Sequence, residues 1–530
     1  MIIRRAKKSF TFIKQNILLL LVSFFGLATG CTTKKEPIKI PTATEVGAQV
    51  MPDTIAAIKA PFTTTTFAKP VFPDRSINIL EQGAKEGEQV THIIQTAIDQ
   101  ISAAGGGRVI IPKGIWKTGR ISLKSHVNLH LAAGAALYFS GEIKDYLPAV
   151  FTRNEGIELY SLGACIYANG QQHIAITGKG KLIGPADGSV RKQIMTHDVI
   201  ENVVPLDKPV HERIYEGKNG AFIFPPMFIA PINCKDVYIE GISLENTAFW
   251  NIVPQYCDQV IIRGVTIQSV GIPRGDGIDI ESSKNVLVEY CTFMTGDDCL
   301  AMKAGRGWDG LRVNKPTENV VVRYCLAKSG HGGITIGSET AGMIRNLYVH
   351  DCVFDNEGIG IRFKTRRPRG GGGEKLYYER IRMRVGQTAL RWDMLGSAKH
   401  VGAAADRNHK VAVNPLTPHL HAIQIKDMIV EEAEQFIEID GIPEAPLSNV
   451  KITGITAHSQ KLFDVKDAQQ IWIENSQFTS PDTVLRASNA ADIVFKQVLF
   501  NIPAKALTLD VPNAEAPAIR LEQVNYTTPK

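Results

Sequence analysis

The sequence contains no Cys-x-x-Cys pair, and no clustered-histidine spacing accompanies its cysteines, so they are not expected to hold a metal, and no cofactor is expected. Its one strongly apolar N-terminal run, from Ile17 through Ala28, falls short of the roughly 20 residues that cross a bilayer. Little net charge remains once the start of the chain is set aside. The formal charge is +6, but residues 1–30 carry five Lys or Arg and no acid, which leaves +1 and excludes a global attraction to nucleic acid. A full disulfide framework is also excluded, because an odd number of cysteines, seven, follows Cys31. Most of these fall at recurrent positions of a repeat and read as buried thiols packed as small apolar groups.

The N-terminus supplies Arg4, Arg5, Lys7 and Lys8, then the apolar run, then small residues up to Gly30, which is the layout of a cleaved secretory signal. The segment Leu27-Ala28-Thr29-Gly30-Cys31 resembles a bacterial lipobox, which implies lipidation of Cys31. The expected protein is exported and held by an N-terminal lipid anchor, on the periplasmic side or at the cell surface. Simple secretion is the alternative, since Leu27 lies one position further from the cysteine than that pattern prefers. Residues 1–30 are thus assigned to the signal peptide, 31–75 to a tether and lead-in rich in Thr, Pro and Lys, and 76–525 to a single catalytic domain.

That domain is built on a repeat. Short strand-forming segments centred on Val237, Val260, Val286, Val320 and Leu347 follow one another at intervals of 23, 26, 34 and 27 residues, with fainter copies at Ile174, Val450, Ile471 and Ile493. A period in the twenties signals a β-solenoid, in which each coil buries its aliphatic side chains only by stacking on its neighbours. Cys291, Cys325 and Cys352 each lie five residues after the central position, which predicts an internal cysteine ladder. Asp236, Asn285, Asn319 and Asn346 directly precede it, as turns between strands require. Ile94, Ala97, Ile98 and Ile101 recur at helical spacing before Gly105 and predict a helix capping the first coil. The fold class expected is all-β, a right-handed single-stranded parallel β-helix with a short N-terminal capping helix.

A second ladder runs through Ile278, Leu300, Ile334 and Ile361, at intervals of 22, 34 and 27 residues. Its register agrees with the first ladder, and it sets Asp276 beside Asp298, with Asp297 preceding and His331 level with Asp297 one coil later. Carboxylates so placed perturb each other's pKa values. Such a set suits glycosidic hydrolysis, where one acid protonates the leaving oxygen and another carboxylate activates water. Arg362 and Lys364 alternate with Ile361 and Phe363, so both point outward on the same face and suit an anionic sugar. Arg366-Arg367-Pro368-Arg369 and four glycines read either as a mobile basic loop touching acidic polymer or as a solvated turn.

Arg274-Gly275-Asp276-Gly277, Gly296-Asp297-Asp298, Gly330-His331-Gly332 and Arg362-Phe363-Lys364 resemble, in order and spacing, the four-part signature of glycoside hydrolase family 28, the polygalacturonase family. The resemblance implies that Asp297 is the general acid, that Asp276 and Asp298 activate water in an inverting displacement, that His331 tunes the acid, and that Arg362 and Lys364 bind galacturonate. Arg274-Gly275 departs from the family's Asn-Thr and adds Arg274 as a further substrate-binding candidate. The expected partner is an acidic pectic polysaccharide or oligosaccharide, met by a monomer; no nucleic acid is expected, and no membrane beyond the lipid anchor. The longer coil holding Gly305–Arg312 is expected to wall off the cleft and make the enzyme exo-acting. Two rivals share the solenoid: a Ca²⁺-dependent pectate-lyase-type elimination, and a non-catalytic polysaccharide-binding surface protein.

Overall fold

In the computed structural model, residues 38–185, 187–192, 200–218, 222–356, 358–512 and 518–529 are described. The export signal and Cys31 lie outside these residues. The helix Thr91–Ala103 forms as its spacing predicts and buries Ile94, Ala97, Ile98 and Ile101 against the first coil. Thereafter parallel strands wind as a right-handed β-helix. Side chains that alternate along each strand turn one set inward, and the inward sets of successive coils form a single apolar core.

The first predicted ladder pairs in register from Ile174 to Val237, Val260, Val286, Val320 and Leu347. It continues through Leu376 and Ile423, two rungs not picked out in the sequence, to Val450, Ile471 and Ile493. The cysteines 291, 325 and 352 are fully buried beneath it. The Asn and Asp residues do not separate strands, as expected, but bend them from within. Asp236, Asn285, Asn319 and Asn346 have φ values of 54 to 57°, a left-handed conformation that Asn and Asp tolerate better than other side-chain-bearing residues. Asn285, Asn319 and Asn346 also join in a chain of side-chain hydrogen bonds up the helix, at 3.3 and 3.0 Å.

Two parts depart from the repeat, and the second of them borders the functional face. The lead-in, read as a tether, is revised here: Ile55, Ile58, Phe62, Phe67 and Phe72 pack on the outward-facing Tyr238, Ile261, Leu287, Val321 and Tyr348. Carbonyl oxygens of Pro52 and Ala56 accept from Arg263 and Arg323 at 2.7 and 2.8 Å. Composition suggested a linker because these apolar residues are spread between prolines and threonines without periodicity. The second departure is the antiparallel hairpin of Val150–Asn154 and Ile157–Ser161. With Phe224, Met227, Phe249 and Trp250 it forms a separate apolar cluster.

Candidate active site

Four parallel strands carry the site: Ile278–Glu281, Leu300–Lys303, Gly332–Gly337 and Ile359–Lys364. Ile278 pairs with Leu300, and Ile334 with Ile361, as the second ladder requires. Ile361 and Phe363 are fully buried, so Arg362 and Lys364 project outward. Glycine is needed where the acids crowd. A Cβ at Gly277 would lie 2.3 Å from the Cys299 carbonyl oxygen, and one at Gly332 would lie 2.9 Å from Asp298 Oδ1.

The coil brings the predicted acids together, with one carboxylate oxygen from each of Asp276, Asp297 and Asp298 within 4.8 Å of the others. Asp297 Oδ1 accepts from the Asp298 backbone N–H at 3.0 Å and lies 3.2 Å from His331 Nδ1. Asp298 is fully buried, with Lys364 Nζ at 3.0 Å from Oδ2 and Arg362 Nη1 at 3.4 Å from Oδ1. Asp276 is also buried, and its Oδ1 has no hydrogen-bond partner.

These surroundings divide the acids into two protonation classes. Burial, reinforced by the Asp279 and Asp297 carboxylates, pushes Asp276 well above the usual carboxylate range. Burial also opposes ionisation of Asp298, but Lys364, Arg362 and Lys303 outweigh it and hold the group well below that range. At Asp297 the hydrogen bond from His331 overcomes burial and the pKa falls, while the same bond raises His331. Of the three acids, Asp276 is therefore the carboxyl that most favours its protonated form. Three carboxylates this close could hold a cation, but Lys303, Arg362 and Lys364 already neutralise them from below and beside.

Lys303 escaped the sequence reading. It ends the strand Leu300-Ala-Met-Lys303, where the alternation that exposed Arg362 and Lys364 turns it outward as well, so the signal was present. Its Nζ lies 3.3 Å from Glu339 Oε2, 3.4 Å from Asp279 Oδ1 and 3.9 Å from Asp276 Oδ2, and sits 4.4 Å from the Trp250 ring centre. It is buried, yet Glu339, Asp279 and Asp276 overcome desolvation and keep it charged. Asp279, fully buried three residues after Asp276, is pushed up to about 7.

Arg274 adopts a left-handed φ of 56°, and its Nε turns to Glu155 on the hairpin, 3.2 Å away. Its first partner is therefore protein. The insertion Gly305–Arg312 forms most of the short helix Gly307–Val313, and Asp309 within it accepts from the Glu158 N–H at 2.9 Å and from Arg213 at 2.8 Å. The insertion is thus fastened to the hairpin. The basic stretch is not the mobile or solvated loop expected: Arg367 and Arg369 are buried, and Arg367 grips Glu444 at 2.7 and 3.1 Å.

The family model described as Glycosyl hydrolases family 28 matches residues 216–389, the span holding all four motifs. The chain is 28% identical over 389 residues to a probable polygalacturonase of Vitis vinifera, covering 71% of this chain and 72% of the relative. It is 26% identical to the exo-poly-alpha-D-galacturonosidase of Dickeya chrysanthemi, over 77% of this chain and 71% of that one. Its fold superposes on the hyperthermoactive exopolygalacturonase of Thermotoga maritima with a TM-score of 0.60 and 26% identity, covering 87% of this chain and 94% of that chain. The family 28 exopolygalacturonase of Yersinia enterocolitica shares the fold, with a TM-score of 0.58 and 21% identity, over 87% of this chain and 79% of that chain.

Proposed function

We propose that this chain is a glycosyl hydrolase of family 28 that hydrolyses α-linked galacturonic acid in pectic polysaccharide, taking single residues from a chain end. The observation that carries the reading is the meeting of Asp276, Asp297 and Asp298 within 4.8 Å beside two outward cations, Arg362 and Lys364. An acid set alone would serve many glycosides; the cations select a uronate. The fastened insertion supports exo action, since its helix and the hairpin stand as a wall beside the same face.

In the proposed mechanism Asp297 protonates the glycosidic oxygen, and Asp276 and Asp298 deprotonate the attacking water. Asp276 is the carboxyl that favours the proton in the free protein, so in this mechanism substrate binding shifts the proton toward Asp297. A galacturonate carboxylate seated on Arg362 and Lys364 withdraws both cations from Asp298 and adds a negative charge near Asp297. Both changes raise carboxylate pKa values, and the proton is redistributed among the coupled acids. The close approach of the acids admits a second stereochemical reading, because inverting pairs commonly stand about 6.5–9.5 Å apart and retaining pairs about 5–5.5 Å. Proton NMR of the first product anomer separates them: the β-anomer is expected, and the α-anomer would make one carboxylate a nucleophile.

The test of function is mass spectrometry of products from polygalacturonic acid and from rhamnogalacturonan oligosaccharides, with Asp297→Asn beside the wild type. Saturated galacturonate from the wild type alone supports the hydrolase. An unsaturated product would favour elimination, and binding without release would favour a lectin-like surface protein. The signal layout and Cys31 further support an exported, lipid-anchored enzyme. For that, Cys31→Ser should shift the protein from the membrane fraction to the soluble one.

A further inference from the structure

The outward stripe of the last site strand does not stop at Lys364. The strand ends at Lys364, but the alternation of burial continues past it: Thr365 is fully buried, whereas Arg366, like Arg362 and Lys364, is only half-buried. Arg362 and Lys364 spend their charge on Asp298, but Arg366 makes no ion pair among the described residues, and its Nε is buried without a hydrogen-bond partner. Its stem is pinned in place, since a Cβ at Gly396 would meet Arg366 Cγ and Cδ at 2.9 Å.

Three residues on, Arg369 is 1% exposed. It gives Nη1 to Glu201 at 2.6 Å, while Nε and Nη2 find no partner. Arg306, at the foot of the insertion, shares that glutamate at 2.8 Å and takes Glu155 at 2.8 Å, where Arg274 is also bound. Three guanidinium groups, Arg274, Arg306 and Arg369, thus divide two carboxylates, and Arg366 adds a fourth guanidinium with no ion pair of its own among the described residues. Burial, with Arg306 beside it, pushes Arg369 down to about 10. Buried guanidinium nitrogens without acceptors are costly and call for an anion from outside.

We propose that Arg366, backed by the buried Arg369, holds a second substrate carboxylate, on the sugar next to the one held by Arg362 and Lys364. The protein then selects runs of consecutive uronic acids over a uronic acid flanked by neutral sugars. This inference rests on the hydrolase reading above for its substrate class, and it assigns a function to a basic stretch whose charges the acid centre does not use. Guanidinium suits the task because its paired N–H groups match a carboxylate and stay charged at any working pH.

The test compares kcat and KM of wild type, Arg366→Gln and Arg366→Lys on trigalacturonate and on an alternating rhamnose–galacturonate tetrasaccharide. Arg366→Gln is expected to raise KM for trigalacturonate about tenfold with little change in kcat, to leave the alternating substrate unchanged, and to be partly rescued in Arg366→Lys. An unchanged KM, or equal losses on both substrates, overturns the proposal. Calorimetry keeps it separable from the activity itself. If the wild type cleaves neither substrate, the hydrolase reading fails, and the affinity of trigalacturonate relative to galacturonate still decides: the wild type should gain from the extra sugars and Arg366→Gln should not. Equal gains in both proteins would overturn the subsite alone.

Discussion

Lys364 Nζ lies 3.0 Å from Asp298 Oδ2, although 66 positions separate the two residues. The cation assigned to the substrate is therefore engaged, in the free protein, by a carboxylate assigned to the water. Under the proposed roles, binding and catalysis share one ion pair, so a change to either group disturbs the other.

Replacing Lys364 by Met tests that coupling. Asp298 is held low by Lys364 first among its charged neighbours, so its pKa rises in the variant. A carboxylate with a depressed pKa stays ionised down to that value, and raising it means that activity is lost earlier as pH falls. The acid limb of kcat/KM should move up by about one pH unit, which corresponds to ~1.4 kcal/mol. KM should rise as well. A profile parallel to the wild type would show that Asp298 takes no part in water activation.

Asp297→Asn should reduce kcat by about 10²–10⁴, the range expected of a general acid. The amide keeps an oxygen for the Asp298 N–H, so the melting temperature should hold. Loss of turnover together with early melting would instead mark Asp297 as a structural turn residue.

His331 has a raised pKa because Asp297 accepts from it. Its protonated form is present below that value and is lost as pH rises through it. The wild-type rate should decline on the alkaline side in that window, and His331→Ala should be slower overall and lack that decline. An alkaline limb unchanged in the variant would assign it to Asp276, whose pKa is also raised.

Lys303→Met removes the cation shared by Glu339, Asp279 and Asp276. Breaking a buried pair from one side costs about 3–5 kcal/mol, measured by urea unfolding near pH 7.5. The loss should shrink near pH 5. Asp279 already has its pKa raised to about 7, and without Lys303 it rises further, so protonation on acidification removes the unpaired charge. A deficit that is the same at both pH values would mean that Lys303 acts by packing on Trp250.

Phe363 stands where the family signature has Ile, and the exchange has a packing reason. Its ring stacks on Trp392 of the following coil with centroids 4.5 Å apart, and meets Tyr378 edge-on. Phe363→Ala should cost about 3–5 kcal/mol and destabilise the strand that carries Arg362 and Lys364. Substrate affinity should fall in step with stability, and a stable variant with full affinity would count against that link.

The amino-acid sequence by itself determined the coil, its register and the meeting of Asp276, Asp297, Asp298 and His331. Strand side chains alternate with a period of two and coils stack directly, so a residue's face and level follow from counting along the chain. The same counting could have found Lys303 and Arg366. Only the tertiary structure decided what surrounds the coil: the lead-in laid against Tyr238 and Tyr348, the hairpin that takes Arg274 through Glu155, and the burial of Arg369 beside Glu201. These segments carry no repeat. Where they settle depends on which distant charges and apolar faces remain unpaired after the coil has formed, and that is a property of the folded surface.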